Sequence, residues 1–127
     1  MKEVIAIIRM EMINQTKQAL LREGFPALNC IKVLGRGKKK VDFSVIENIV
    51  TGQEFSSPKI AEAVSEAHRL IPKRLLSMVV NDSDVKKVVD TIIEVNSKGK
   101  PGDGKIFVLP INEIIRVRTG EAGEVAI

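Results

Sequence analysis

The chain has no tryptophan, no tyrosine, one cysteine and one histidine, and its four phenylalanines stand apart at positions 25, 43, 55 and 107. So few rings argue against a single-strand nucleic-acid module, which stacks bases on exposed aromatics. No nucleic acid is expected as a partner. Cys30 cannot close an internal disulfide, which agrees with a reducing compartment, and the chain is read as cytoplasmic. With one His, one Cys and no evident pair of carboxylates there is little acid-base or nucleophilic machinery, so the expectation is a protein that is not an enzyme. His68 has no Cys, His or carboxylate cluster around it in sequence, so no metal site is assigned. No apolar run approaches the roughly 20 residues a membrane helix needs. Met1-Lys2-Glu3-Val4 lacks the build of a signal peptide, and membrane insertion is not expected.

What is present is the mix of a globular protein, 44% apolar and 28% charged over 127 residues, read as a single domain spanning 1–127. The net charge of +4 is gathered at Arg36 to Lys40, Lys98 to Lys105 and Arg116 to Arg118. Local clusters of this kind suit a small polyanion.

The most informative stretch is Lys98-Gly99-Lys100-Pro101-Gly102-Asp103-Gly104-Lys105-Ile106-Phe107-Val108, a glycine-rich turn opening into an apolar strand. Its glycines allow backbone N–H groups to approach a ligand, and Lys105 closes the turn with a positive charge. Ile114 to Arg118 reads as a further strand, whose alternation puts Arg116 and Arg118 side by side on one face. Backbone donors, a lysine and two parallel guanidinium groups are what a polyphosphate requires. The plain alternative is a tight turn followed by an edge strand whose arginines face water.

In chain order, the β-branched run Val4 to Ile8 reads as a strand covered on both faces. Ile13 to Glu23 reads as a helix stopped by Gly24, and Leu28 to Leu34 as a second strand with Cys30 packed as a small buried residue. The long segment from Lys38 to Ile71 contains Ser56-Ser57-Pro58, a helix-start signal, followed by an apolar stripe of Ile60, Val64, Ala67 and Ile71. That stripe suits either a partner groove or the protein's own surface. Arg74 to Val80 is the third strand. Asn81 to Asp84 supplies capping chemistry for a helix with Val85, Val88, Val89, Ile92 and Ile93 at core spacing, ending near Asn96.

The order is that of an α+β, ferredoxin-like βαββαβ fold with an extended loop between strands two and three. Two helices cover one sheet face, and an uncovered apolar face predicts self-association.

With these residues in view the chain resembles the P-II nitrogen-regulatory signalling family. Ile7-Ile8-Arg9, Val33-Leu34-Gly35-Arg36-Gly37, Gly99 to Val108 and Arg116-Val117-Arg118-Thr119-Gly120-Glu121 carry the resemblance, which spans the chain except about Val41 to Arg69. Gly35-Arg36-Gly37-Lys38 and Leu109-Pro110 are similar to the second of the paired P-II-like proteins encoded with nitrogenase.

The resemblance implies a trimer with nucleotide sites between neighbours, where ATP and ADP compete, and 2-oxoglutarate bound beside Mg-ATP at the root of a long loop, here about 37–71. Residues matching the family's site are Gly35 and Gly37 before the loop, with Lys38 and Lys39 following. Lys73 matches the lysine that pairs with a 2-oxoglutarate carboxylate, and Val79 the position whose backbone meets the adenine. Gly102, Asp103, Gly104 and Lys105 match the phosphate loop, and Arg116 and Arg118 the phosphate-binding arginines. Lys39 stands where the family's magnesium-ligating glutamine belongs, and a protonated lysine offers no lone pair to Mg2+; the expectation is either pairing of Lys39 with phosphate or carboxylate in place of the metal, or sensing of 2-oxoglutarate mainly by a partner subunit. Tyrosine is absent, so the uridylylation used by enteric members is ruled out. The implied target is the dinitrogenase component of nitrogenase, with a paralogous P-II-like subunit as a second partner. The alternative is a general P-II regulator of ammonium transport or glutamine synthetase, whose short arginine-tipped loop this chain lacks.

Overall fold

The computed structural model describes residues 1–37 and 69–127. Lys38, Lys39, His68 and the helix expected from Ser57 lie outside the described residues. The chain divides into two compact units, Met1–Val33 with Lys73–Ile127, and Leu34–Pro72.

Strand β1, Lys2–Arg9, alternates: Val4, Ala6 and Ile8 are buried, while Ile5 and Ile7 on the opposite face are only partly covered. This corrects the expectation of a strand covered on both faces. A short 3-10 turn, Met10–Met12, leads into helix α1, Ile13–Arg22. Gly24, at φ 92, ends it: the Gly24 N–H donates to Leu21 O at 3.0 Å and the Phe25 N–H to Leu20 O at 2.9 Å. These two bonds satisfy the last carbonyls of the helix in the glycine-stop geometry.

Strand β2, Asn29–Gly35, lies at one edge of the sheet, and Cys30 on it is exposed. The burial expected for Cys30 fails because an edge strand receives less cover than a central one. Strand β3 runs Ile71–Val80. Ile71, read from sequence as the end of an amphipathic helix, instead opens this strand, since the residue before a proline is steered away from helical backbone.

Asp82–Asp84 form a 3-10 turn, and helix α2 follows over Val85–Asn96. No side chain of Asn81 or Asp84 caps these starts, contrary to the sequence reading; the Asp84 N–H bonds to Asn81 O at 2.9 Å instead. Strand β4, Lys105–Pro110, completes the described sheet, in the order β2-β3-β1-β4. Both β3 and β4 run antiparallel to β1.

The core joins the Val4, Ala6 and Ile8 face of β1 with Leu76, Met78 and Val80 of β3, Leu20 of α1 and Val88 and Ile92 of α2. One polar link crosses it. Asn96 Nδ2 donates to Thr16 Oγ1 at 3.0 Å and to Ile92 O at 2.9 Å, and Thr16 Oγ1 donates to Met12 O at 2.7 Å, all buried. A buried polar group unpaired costs more than one paired, so this link ties the two helices in one register.

Candidate functional site

The register of β1 and β3 sets Arg9 directly opposite Lys73. Two like charges in facing positions of an antiparallel pair repel unless acceptors lie between them. The glycine-rich loop provides those acceptors. Arg9 Nη1 donates to Asp103 Oδ1 at 2.6 Å, Arg9 Nη2 to Pro101 O at 3.0 Å, and Lys73 Nζ to Gly102 O at 3.2 Å. Asp103 also closes the loop on itself, with Oδ2 accepting the Lys98 N–H at 2.9 Å and the Lys100 N–H at 3.4 Å.

The two glycines the sequence singled out act differently. Gly102, at φ 94, lies under the two cations, and a Cβ there would come within 3.4 Å of Arg9 Nη2 and 3.8 Å of Lys73 Nζ. Its missing side chain leaves open the space where the positive charges converge. Gly104, at φ 122, is pressed against β1, where a Cβ would stand 2.1 Å from Ile7 O. Behind the loop a cleft of about 170 Å³ is bordered by Ile8, Ile92, Asn96, Asp103, Gly104 and Lys105. Lys105 itself is exposed, opposite Ile7.

The Arg9 guanidinium holds the Asp103 carboxyl below its ordinary value, outweighing the opposing desolvation, and the loop amides of Lys98 and Lys100 add smaller effects in the same direction. A depressed carboxyl contributes at neutral pH and loses that contribution as pH falls through its lowered value. The loop is therefore expected to hold its shape across the neutral and mildly acidic range. An NMR titration of the Asp103 carboxyl should show a midpoint below that of an ordinary aspartate, and Arg9→Ala should return it upward; identical midpoints would contradict the pairing.

The C-terminal arginines are arranged otherwise than the sequence suggests. Ile114 to Arg118 forms no strand, only an isolated bridge between Ile115 and Ala122. The Arg116 N–H donates to Glu121 O at 2.8 Å and the Gly120 N–H to Arg116 O at 2.7 Å, with Gly120 at φ 71 reversing the chain. The parallel guanidinium pair is thus corrected, because a turn replaces the alternation that would have aligned them. The Arg116 side chain faces its own terminus, Nη2 to Val125 O at 2.6 Å and Nη1 to Glu121 Oε2 at 3.4 Å, whereas Arg118 is exposed.

Of the candidate residues, the fold brings together Lys73, Gly102, Asp103, Gly104 and Lys105. Val79 stands opposite Glu3, at the other end of β3 from Lys73. Gly35 and Gly37 belong to the second unit, and neither has positive φ. Arg9 is the participant the sequence reading passed over as a site residue. Its signal was its place after the apolar run Val4 to Ile8, at the end of a central strand. The arrangement is suited to an anion, phosphate or carboxylate: two cations, an open Cα and a glycine-rich backbone. Among the described residues no three His, Cys, Asp or Glu gather as metal ligands.

The family model described as "Nitrogen regulatory protein P-II" matches residues 1–121. "Nitrogen fixation nifHD region GlnB-like protein 2" of Methanothermococcus thermolithotrophicus is 51% identical over 130 residues, covering 100% of this chain and 98% of the relative. Its namesake in Methanothermobacter marburgensis is 45% identical over 127 residues, with 100% of both chains covered. A crystal structure of Arabidopsis thaliana PII bound to citrate superposes with a TM-score of 0.72 at 33% identity, covering 99% of this chain and 91% of that one. The four-stranded antiparallel sheet with its two helices, the loop set against Arg9 and Lys73, and similarity along the whole length agree: this chain belongs to the nitrogen regulatory protein P-II family.

Proposed function

We propose that the protein is a cytoplasmic allosteric regulator of nitrogen fixation that binds ATP or ADP and responds to 2-oxoglutarate. The observation that carries this reading is the loop Gly102 to Lys105 held open beside Arg9 and Lys73. In the assembled protein, Gly102, Asp103, Gly104 and Lys105 form the phosphate side of the site. Arg118, exposed, and Arg116, once released from Val125 O and Glu121, are contributed from a neighbouring subunit. Val79, Gly35 and Gly37 line the adenine and loop-root parts. Lys73 takes a carboxylate of 2-oxoglutarate, and Lys38 and Lys39 supply charge where other members hold Mg2+. A nucleotide bound here supplies the negative charge that these cations and backbone donors hold in place.

The assembly is a homotrimer, or a hetero-oligomer with a paralogous subunit. Ile5, Ile7, Leu75, Val79, Phe107 and Leu109 share the sheet face away from the helices by register, and a face this apolar favours cover by another copy. The long arm, about 37–71, carries the output. Its target is the dinitrogenase component of nitrogenase, held when 2-oxoglutarate is scarce and released when it is abundant; the nitrogen-fixation names of the relatives support that choice. For release to follow, 2-oxoglutarate must bind the free form more tightly than the target-bound form.

The test is a thermal-shift and pull-down pair. ATP at a hundredfold excess over its Kd should add about 2.7 kcal/mol of stability. Nitrogenase captured without 2-oxoglutarate should be released on adding it. A melting temperature indifferent to adenine nucleotides would overturn the site, and capture indifferent to 2-oxoglutarate would overturn the switch.

A further inference from the structure

We infer that Arg9 is a positioning residue for the phosphate loop: acting through Asp103, it sets the loop in its binding shape before any nucleotide arrives. The inference deepens the proposed phosphate site and rests on it.

Between Lys98 and Lys105 the chain passes three glycines with positive φ, Gly99 at 68, Gly102 at 94 and Gly104 at 122. Such a segment is conformationally loose by itself, and ordering it on binding would cost affinity. The fold provides one grip on its C-terminal side, where Gly104 is pressed against Ile7 O. Lys73 Nζ adds a bond to Gly102 O at 3.2 Å, and the Asp103 carboxylate gathers the preceding turn. Asp103 Oδ2 accepts two loop amides, and its Oδ1 takes the Arg9 guanidinium at 2.6 Å. Arg9 reaches past it to Pro101 O at 3.0 Å. One planar fork thus fixes both a side chain and a main-chain carbonyl of the loop, which the single ammonium of a lysine is poorly shaped to do. The ion pair is also partly shielded, with side chains 21% and 26% exposed, so it is less screened than a surface pair.

This role differs from a direct contact between Arg9 and the ligand: one N–H of Nη1 and one of Nη2 are given to the loop rather than offered to a ligand. The two roles predict opposite behaviour for Asp103→Asn, which keeps the size of the side chain and removes its charge. If Arg9 acts through Asp103, Arg9→Ala and Asp103→Asn cause similar losses and the double variant loses little more than either. If Arg9 acts on the ligand itself, Asp103→Asn frees it and binding holds or improves.

The experiment uses the full assembled protein, with ATP as the calorimetric probe and amide hydrogen exchange in the nucleotide-free state. Each single variant is expected to weaken ATP by about tenfold, with the double variant no weaker than about twice that. Arg9→Lys should fall between wild type and Arg9→Ala. Without nucleotide, exchange at the Lys98 and Lys100 amides should quicken in both single variants. Unchanged exchange there, or losses in ATP affinity that add in the double variant, overturns the inference. Wild-type protein that fails to bind ATP overturns the proposed phosphate site instead, and the exchange rates still decide whether Arg9 organises the loop. Asp103→Asn, close in size to the native residue, keeps the test available should Arg9→Ala not fold.

Discussion

Replacing Gly104 by alanine will destabilise the protein by more than about 3 kcal/mol, because two costs fall on the same atom. The first is backbone strain: at φ 122 an L-residue is held outside its allowed regions. The second is a collision. The new Cβ would lie 2.1 Å from Ile7 O and 3.2 Å from Ile7 C, and backbone cannot swing aside as a side chain does. Ile7 is pinned from both directions, opposite Leu75 of β3 and Lys105 of β4, so relief must come from separating β4 from β1. For a domain whose whole stability is about 5–15 kcal/mol, that is a large share. Gly102→Ala provides the control. There the added Cβ meets only the flexible ends of Arg9 and Lys73, at 3.4 and 3.8 Å, so backbone strain of about 1–3 kcal/mol is the main cost. Urea unfolding at matched protomer concentration measures both. Equal costs at the two positions would show that the approach of Gly104 to Ile7 is not what holds the loop.

The second large effect separates two adjacent isoleucines of α2. Ile92 is 2% exposed and sits in the core against the β1 face, whereas Ile93, assigned by periodicity to the same stripe, is 50% exposed. Ile92→Ala should cost about 2–5 kcal/mol, the lost transfer energy plus the cavity it leaves. Ile93→Ala should cost less than about 1 kcal/mol in the same chain, since exposed positions rarely exceed that. Chemical denaturation of the pair reads the difference directly. A large loss at Ile93 would mean that a surface open in the single chain is closed in the assembly, and would locate a subunit contact on that side of the helix.

Ile93 also illustrates how far periodicity reaches. Its spacing from Val85 and Val89 matches a helical stripe, yet the core takes a narrower band, and the next turn buries Asn96 instead. An asparagine looks out of place there until Thr16, 80 residues away in sequence, is seen to accept its hydrogen bond. The helix itself was legible from the valine and isoleucine repeat, and the stop of α1 from Gly24. The capping residues were not: Asn81 and Asp84 have the right chemistry, but a 3-10 turn absorbed the chain before their side chains could reach an amide.

Strand and helix periods and glycine stops are local and need no neighbour, so a small βαββαβ protein was readable from the residues, and the resemblance carried by the Gly102 to Lys105 motif supplied the P-II family. That resemblance also implied that Lys73 and the glycine loop serve one site. The folded chain was needed to show that Arg9 belongs with them, that Asp103 turns inward to close the loop, and that Arg116 bends back on its own terminus rather than lining up with Arg118. Each of these depends on strand register or a chain reversal that joins distant residues, and pairwise geometry of that kind is set by the packing of the whole fold, not by the order of residues in any one stretch.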